Sequence, residues 1–399
     1  MIRHLMMGNF KSLVNFSLPL ARFTCLVGLN GAGKTTLLQA IDFLAQVMGG
    51  NVEGWLKERE WSVNDINFNI PFPFAKKQLI FFHISLELDG RNICWEGKFN
   101  IRKLRCTSER VILSDHKIDA MEVENGRYKI AGEPRKMISF EYYGSILSQL
   151  KETNFGEHQQ ILVELKRFFN DVKSLELLSP NLMRKRAKKA EDIGIGGERL
   201  SAFLSQLSSD EREKLSVDLK KFSPNFHRFS TRALLGGWKQ LFINETVDFS
   251  GGLKIPLETE ARHINDGLLR QLAILAQTTT DHRVLLFDEI ENGMNQELVD
   301  KLVDHLVNAR QQIIVTTHSP QILNFIPDDV AREGVILLYR TPQGFTRARR
   351  YFDLPGPAEK LLFLGPGEVY ADTPLHDVVQ SALDKDREED TSNKGIISR

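Results

Sequence analysis

The chain has 399 residues, and its 52 basic and 52 acidic residues give a formal net charge of zero. Apolar residues make up 42% of the chain, which excludes a disordered, collagen-like or disulfide-scaffold protein. The balanced charge excludes a uniformly basic nucleic-acid-binding protein, so any contact with DNA or RNA must come from a local patch.

The three cysteines, Cys25, Cys94 and Cys106, are widely spaced and contain no CxxC pair. This pattern argues against a disulfide framework and against a zinc site. No apolar run is long enough for a transmembrane helix, and the first residues are not those of a signal peptide. We therefore expect a cytoplasmic protein with no membrane contact.

The first part of the chain is predicted to be rich in strands. Apolar and β-branched runs predict three strands and then a helix: Ile2 to Phe10, Val14 to Leu20, Phe23 to Val27, and the helix from Lys34 through Ala45. From Gln78 to about Tyr143 the pattern is mostly that of strands. Asp89-Gly90 and Asn125-Gly126 mark two hairpins there, the first between Leu79–Leu88 and Asn92–Phe99.

The middle of the chain, from about 146 to 227, is charged and has the pattern of helices. The predicted helices are 157–172, 198–207 and a third that opens with a Ser208/Glu211 capping box and closes at Pro224. Two strand-like runs follow, at about 239–249 and 253–258.

The last part of the chain alternates helices and strands. The predicted order is helix 266–279, strand 284–287, helix 296–309 and strand 312–316. A β-α-β order of this kind indicates a parallel sheet. The tail from about Asp384 is charged, and we expect it to be frayed.

A glycine-rich turn joins the third strand to the first helix. Gly28-Leu29-Asn30-Gly31-Ala32-Gly33-Lys34-Thr35 fits GxxxxGK[ST] at every fixed position, in the strand–turn–helix context of a P-loop. Backbone N–H groups and the helix N-terminus would hold phosphates, Lys34 would reach the β- and γ-phosphates, and Thr35 would coordinate Mg²⁺. The alternative is a strand–helix turn without a ligand. We predict ATP and Mg²⁺ as cofactors, held by Gly28, Asn30, Gly31, Ala32, Gly33, Lys34, Thr35 and Thr36.

Two acids follow the apolar strand Val284–Phe287. In a P-loop enzyme the first acid, Asp288, would hold the Mg²⁺ shell together with Thr35, and the second, Glu289, would polarise the attacking water. The alternative is an ordinary acidic turn after a strand. His318 ends the next predicted strand, at the edge of a parallel sheet that faces a nucleotide, and is interpreted as a γ-phosphate sensor. We therefore predict Glu289 and His318 as the catalytic residues.

Asn265, Asp266 and Gly267 precede an apolar helix. An ordinary N-cap explains such residues when they are taken alone. Their position, about twenty residues before the acid pair, favours a functional motif instead.

This order of motifs resembles the ABC-type ATPases of the RecF, SMC and OLD group, especially the short AAA-labelled ATPases of bacterial anti-phage and mobile-element loci. Residues 9–13 (NFKSL) resemble the group's N-terminal strand, 265–270 its S-D-G-x-x-R signature, and 288–295 its Walker B with D-loop. Thr317-His318-Ser319 matches the switch histidine. Weaker similarities lie at Leu178-Ser179-Pro180 with Arg184, at 197–200 and at 367–372.

The sequence also departs from the pattern of this group. Asn265 replaces the signature serine, Ile290 stands where a proline is frequent, and Asn295-Gln296 replaces a His-Pro pair. No glutamine can be assigned to a Q-loop.

The resemblance implies an α/β fold: an ABC-type P-loop NTPase head with a mixed N-terminal lobe, a parallel-sheet core and a helical insertion. The expected segments are 1–145 (lobe I with the P-loop), 146–260 (mainly helical insertion or lid), 261–383 (lobe II with signature, Walker B and switch histidine) and 384–399 (charged tail). It further implies homodimers or higher oligomers in which two heads pair around two ATPs. Asn265, Asp266 and Gly267 would then complete the partner's site in trans.

The resemblance leaves three functions to distinguish. The first is an ATPase that hydrolyses ATP to ADP and phosphate and acts as a switch or clamp on a separate effector, a nuclease or toxin, in anti-phage defence. The second is a RecF-like DNA-binding ATPase of repair or recombination, and the third, a transporter subunit, is disfavoured because the signature is not LSGGQ. About eighty residues follow His318, too few for a Toprim nuclease domain, so we expect any nuclease on another polypeptide.

One basic cluster is the best candidate for contact with nucleic acid. It consists of Arg184, Lys185, Arg186, Lys188 and Lys189. A solvated helix face is the alternative interpretation of this charge run. Arg347, Arg349 and Arg350 form a second, weaker patch.

Overall fold

The computed structural model describes residues 1–68, 78–115, 118–149, 157–176, 178–190, 192–249 and 253–397. The chain forms two compact units, one of residues 1–173 with 327–399 and one of residues 174–326. The four segments expected from the sequence divide the chain differently, since the first unit contains both ends of the chain. Within the described part, no helix combines the length and apolarity needed to cross a membrane.

The N-terminal stretch of the first unit consists mainly of strands. Its strands are β1 (Ile2–Gly8), β2 (Phe16–Pro19), β3 (Phe23–Val27), β4 (Leu79–Leu88), β5 (Arg91–Asn100), β6 (Arg105–Leu113), β7 (Ile118–Glu124), β8 (Arg127–Ile130) and β9 (Lys136–Met137). Its helices are α1 (Lys34–Gly49), α2 (Val52–Glu58) and α3 (Glu157–Asn170), and β10 (Val172–Leu175) leads into the second unit.

The second unit contains helices and strands in mixed order. They are α4 (Pro180–Met183), α5 (Leu200–Gln206), α6 (Ser209–Phe222), β11 (Phe226–Ala233), β12 (Lys239–Phe249), β13 (Leu253–Glu260), α7 (Asp266–Thr278), β14 (Val284–Phe287), α8 (Gln296–Val307), β15 (Gln312–Thr316) and α9 (Pro320–Leu323).

The C-terminal stretch returns to the first unit. Its elements are α10 (Asp328–Gly334), β16 (Val335–Arg340), β17 (Thr346–Arg350), α11 (Pro357–Lys360), α12 (Pro366–Asp372) and α13 (Leu375–Ile397).

An antiparallel sheet of eight strands, in the order β2-β1-β4-β5-β6-β7-β8-β9, dominates the first unit. Burial alternates along β4, so that one face carries the core residues, as expected of a sheet covered on one side. Phe43 of α1 packs in this core, with its ring centroid 5.1 Å from those of Phe10 and Phe99. In the same unit β3 pairs in parallel with β16, which pairs antiparallel with β17.

In the second unit, β14 and β15 form a parallel pair whose residues are all buried. This pair and the β3–β16 pair confirm the predicted parallel-sheet elements. A separate antiparallel sheet contains β11, β12 and β13. The sequence predicted the last two of these strands but not β11, which is half exposed and weakly patterned. The capping box of Ser208 and Glu211 is confirmed at the start of α6.

The expectation of a frayed C-terminal tail is wrong for the described residues, because α13 continues to Ile397. The guanidinium of Arg349 donates to Asp386 Oδ1 at 2.5 Å and to Glu389 Oε2 at 2.9 Å. The hydroxyl of Tyr339 bonds to Asp386 as well. These contacts fix the helix to β16 and β17, and they neutralise Arg349 in the patch predicted for nucleic acid.

Candidate nucleotide-binding and catalytic residues

The P-loop lies in the first unit, between β3 and α1. Gly28, Gly31 and Gly33 have φ angles of 146°, 75° and 107°, a region that side chains disfavour. A Cβ on Gly28 would lie 2.2 Å from the Leu338 carbonyl oxygen, and one on Gly33 would lie 2.4 Å from Thr346 Oγ1. Both the conformation and the close packing therefore require glycine at these two positions.

Lys34 begins α1 and is 6% exposed. Its ammonium donates to the carbonyl oxygens of Gly28 at 2.7 Å and Leu29 at 3.3 Å. The Lys34 ammonium is thus bonded to the backbone of the P-loop. Phosphate oxygens of a bound nucleotide could replace these carbonyl partners. Thr35 and Thr36, the next two residues, are half-buried.

Two further residues of the first unit support the P-loop. Thr346 of β17 donates from its hydroxyl to the Ala32 carbonyl oxygen at 2.9 Å. Its backbone N–H donates to the Ser12 carbonyl oxygen at 2.9 Å, and the two hydroxyls lie 2.8 Å apart. Ser12 belongs to the segment 9–13 that resembles the N-terminal strand of the ATPase group. Thr346 was not predicted, because it lies more than three hundred residues from the loop.

The acid pair lies in the second unit, directly after β14. Thr316, fully buried at the end of β15, donates its hydroxyl to Asp288 and accepts the backbone N–H of Glu289 at 2.9 Å. One threonine therefore fixes both acids to the neighbouring parallel strand. Glu289 has a φ angle of 48°, which is unfavourable for a residue with a side chain, and its carboxylate is exposed.

His318, the predicted switch histidine, lies beside the second acid, Glu289. His318 Nε2 is 3.6 Å from Glu289 Oε1, and both side chains are partly exposed. Glu291 holds this segment, because its Oε1 accepts from the Thr317 hydroxyl at 3.0 Å and from the His318 backbone N–H at 2.8 Å. In the sequence Glu291 was part of the predicted D-loop and had no assigned role. The folded chain shows that it holds Thr317 and His318 in place.

The predicted signature residues form the start of α7. Asn265 is the N-cap, since its Oδ1 accepts the Leu268 N–H at 2.8 Å. The capping alternative is therefore confirmed for Asn265, and the favoured signature role stays a prediction. Asn265 and Asp266 are exposed, whereas Gly267 is buried. A Cβ on Gly267 would lie 2.8 Å from the Gly293 carbonyl oxygen, so this glycine is required by packing within its own chain.

Two arginines connect this helix start to the segment around α4. Arg184 donates to the Ile264 carbonyl oxygen at 2.7 Å and pairs with Asp266 at 2.5 Å. Arg270 donates to the Leu178 carbonyl oxygen at 2.9 Å. Burial lowers the pKa of Arg270, while the nearby carboxylates of Glu289 and Asp266 act in the opposite direction. The suggested lid motif and the signature thus form one local structure.

The contacts of Arg184 separate it from the rest of the basic cluster. Lys185, Arg186, Lys188 and Lys189 are exposed. Arg186 Nη2 lies 3.7 Å from Glu260 Oε1, and the Lys188 ammonium lies 5.1 Å from the centroid of the Trp238 ring. Arg184 instead holds the helix start, and binding of nucleic acid by the remaining cations stays a prediction.

The P-loop residues of the first unit fit the phosphates and the magnesium of Mg·ATP. The P-loop offers a glycine cradle with a held ammonium and two threonine hydroxyls beside it, the donor set that a triphosphate and its magnesium require. In the second unit, Asp288 carries carboxylate oxygens of the kind that Mg²⁺ prefers, and the exposed carboxylate of Glu289 has the chemistry of a general base.

Comparison with known proteins agrees with these motifs. Residues 124–324, just over half of the chain, match the sequence profile of the family described as "AAA domain, putative AbiEii toxin, Type IV TA system". The chain belongs to this family. Residues 1–192 also match the profile described as "AAA ATPase domain". The predicted membership in the ABC/AAA-type ATPases of the RecF, SMC and OLD group is confirmed.

Individual relatives agree with this assignment. An OLD nuclease of Thermus scotoductus is 50% identical over 44 residues, a match that covers 11% of this chain and 8% of that nuclease. Among solved structures, an SMC head bound to the C-winged helix domain of ScpA has a TM-score of 0.52 at 16% identity, covering 87% of this chain and 96% of that one.

A Pyrococcus furiosus SMC head with an extended coiled coil, bound to the C-terminal domain of ScpA, has a TM-score of 0.50 at 14% identity. It covers 87% of this chain and 95% of that one. At these identities the likeness shows the fold alone, and it confirms the predicted ABC-type head.

Proposed function

We propose that this ATPase-family chain binds Mg·ATP, hydrolyses it to ADP and phosphate, and uses the cycle as a switch. Two copies pair around the nucleotide, and their association controls a separate effector in anti-phage defence. The observation that carries the proposal is the acid pair fixed by Thr316, in a chain that also contains a complete P-loop.

The roles follow from the chemistry of each group. Lys34 neutralises the β- and γ-phosphates, and Thr35 with Asp288 holds Mg²⁺. Glu289 orients the attacking water as general base. Its exposed carboxylate and its unfavourable φ angle support a catalytic rather than a structural position. His318, beside Glu289, contacts the γ-phosphate and reports its release.

The signature acts in trans in this proposal. Asn265 and Asp266 are exposed at the N-terminus of a helix of 13 residues, where backbone N–H groups and the helix dipole favour an anion. A partner's γ-phosphate at this position would close the site to water. Asn265 would approach it with its amide group while its Oδ1 caps the helix.

The defence role rests on the family and on one relative. The family description names a toxin and a toxin–antitoxin system, and the short match is to a nuclease. Co-purification with the product of a neighbouring gene tests the effector. An ATP-dependent complex with a nuclease or toxin supports the role, and a stable complex with replication proteins alone contradicts it.

Glu289→Gln tests the hydrolysis step. The amide keeps the size of the side chain but cannot accept the proton, so turnover should fall at least about a hundredfold, the usual scale for losing a positioned base. Mg·ATP affinity should persist, and the ATP-bound pair should accumulate in size-exclusion chromatography. Glu297→Gln, at an exposed position of α8, is the control and should hydrolyse normally. A Glu289→Gln protein with wild-type phosphate release would contradict the assignment.

A further inference from the structure

We propose that His83, Cys94 and Glu96 form a binding site for a borderline-soft divalent cation of the Zn²⁺ class, on one face of the large sheet. The site lies in the first unit and does not depend on the proposed ATPase function. The sequence predicted no zinc site because its three cysteines are widely spaced. Ligands can also come from neighbouring strands, however, and sequence spacing does not show these.

Strand pairing brings the three side chains together. In the register of β4 and β5, His83 stands opposite Glu96 and Ser85 stands opposite Cys94. All four residues alternate with Ile84 and Trp95 and therefore share the other face of the sheet, where Cys94 is 6% exposed and His83, Ser85 and Glu96 are half-buried. Adjacent strands can thus supply ligands that lie eleven residues apart in sequence.

The donor atoms are close enough to reach one cation once the imidazole turns one nitrogen toward it, because Cys94 Sγ is now nearly equidistant from the two ring nitrogens. Cys94 Sγ lies 3.4 Å from His83 Nδ1 and 3.5 Å from Nε2, and Nδ1 lies 3.1 Å from Glu96 Oε2. The ligand atoms of the three residues all lie within 4.8 Å of one another. Bonds of about 2.3 Å to sulfur and about 2.0 Å to nitrogen place tetrahedral S and N ligands about 3.5 Å apart.

The chemistry of the donors selects the metal. A thiolate, an imidazole and a carboxylate together favour Zn²⁺ or a similar transition metal over Mg²⁺ and Ca²⁺, which prefer oxygen alone. Three protein ligands leave a fourth position for water, as in open zinc sites. A thiol must lose its proton to bind such a cation, so binding at Cys94 should release a proton to solvent.

Neighbouring groups orient the ligands. Arg110 Nη1 lies 3.5 Å from Glu96 Oε1, while its Nη2 bonds to Asp119 at 2.8 Å. The arginine thereby holds one carboxylate oxygen and leaves the other directed to His83. Ser85 Oγ lies 3.5 Å from His83 Nε2. Such outer contacts fix the orientation of metal ligands.

A cavity gives the cation access. Its volume is about 700 Å³, and His83 and Glu96 are part of its wall together with Met6, Phe81 and Phe345. Two of the three ligands are therefore reachable from this cavity.

Cobalt titration of the full chain without nucleotide tests the proposal, because Co²⁺ bound by a thiolate gives a near-ultraviolet charge-transfer band. We expect one Co²⁺ per chain with this band, and its displacement by one equivalent of Zn²⁺. Cys94→Ser should lose the band while Cys25 and Cys106 remain. His83→Ala should weaken affinity by at least the roughly 10–100-fold that loss of an outer partner alone costs.

Two controls make the result decisive. His227→Ala changes an exposed histidine of the second unit and should bind Co²⁺ as the wild type does. Circular dichroism of Cys94→Ser establishes that the variant is folded. The proposal is overturned if the wild type shows no thiolate band, or if folded Cys94→Ser keeps the band, since the three residues would then form a hydrogen-bonded cluster only.

Discussion

At the residue scale, Lys34 is a buried charged group that is stabilised by its own loop. A buried ammonium without partners would be costly, and the two carbonyl oxygens of the P-loop offset that cost. Nucleotide binding would exchange these neutral partners for phosphate oxygens, which form stronger charge-assisted bonds.

Lys34→Ala should therefore bind ATP much more weakly and keep its fold. Hydrogen bonds to charged groups contribute about 1.5–3 kcal/mol, so we expect at least about a tenfold loss of affinity. Titration with a fluorescent ATP analogue measures it. Lys57→Ala, an exposed lysine in α2, should bind normally. Unchanged affinity in folded Lys34→Ala would refute the P-loop assignment.

Glu291 allows a second test at this scale, because it holds the backbone of His318 and touches no predicted ligand. Glu291→Ala removes two bonds worth about 1.5–3 kcal/mol each, and displacement of His318 should lower kcat at least about tenfold. Nucleotide affinity should change little. Glu291→Gln keeps an acceptor oxygen and should retain most activity. Steady-state kinetics compare the two variants, and equal activity of wild type and Glu291→Ala would contradict a positioning role.

Residues of the site differed in how far the sequence could predict them. The P-loop residues are contiguous and carry a fixed pattern, so their place between a strand and a helix was predicted and is confirmed. Thr316, Glu291 and Thr346 have no such pattern. Their functions depend on which strand ends become neighbours, and this is a property of tertiary structure.

At the element scale, the start of α7 is held in place by several independent contacts. Its N-cap, its close approach to Gly293 and its two arginine contacts all restrict the same turn of helix. The packing of Gly267 makes this residue unsuitable for substitution as a test of the signature. A bulky side chain there would push the Gly293 backbone of the same chain out of place. A loss of turnover in such a variant could then come from this local distortion and would not test the signature role.

Arg184 and Asp266 permit a double-mutant cycle on this element. The pair is partly exposed, with side-chain exposures of 20% and 59%, so it should contribute only about 0.2–1 kcal/mol to stability. Turnover should fall more, because the pair orients the exposed signature residues. If the two residues act together, Arg184→Ala, Asp266→Asn and the double variant should lose similar activity. Lys185→Ala is the neighbouring control. Additive losses, measured as kcat, would show that the pair is not a unit.

At the scale of the whole molecule, the sequence predicted the ABC-type head and most elements. Periodicity and short motifs report local structure and so predicted the elements, whereas the ABC-type head was implied by the family resemblance. The path of α13 could not be predicted in this way, since its charged residues resemble a solvated tail until Arg349 is placed beside Asp386 and Glu389. The proposed metal-binding residues His83, Cys94 and Glu96 could not be predicted for the same reason, because strand register decides which residues are neighbours.

The central claim is that two chains share each ATP site. Asn265→Asp keeps a good N-cap but places a negative charge where the partner's γ-phosphate is expected. It should bind ATP to its own P-loop and fail to hydrolyse it, whereas Asn265→Ser keeps both a cap and a donor and should remain active.

Mixing Asn265→Asp with Lys34→Ala tests this claim most directly. Each mixed pair then has one site in which an intact P-loop of the first variant meets an intact signature of the second. With mixed pairs verified by two affinity tags, phosphate release should recover well above that of either variant alone. Hydrolysis at the wild-type rate by Asn265→Asp alone, or no recovery in verified mixed pairs, would contradict sites shared between chains.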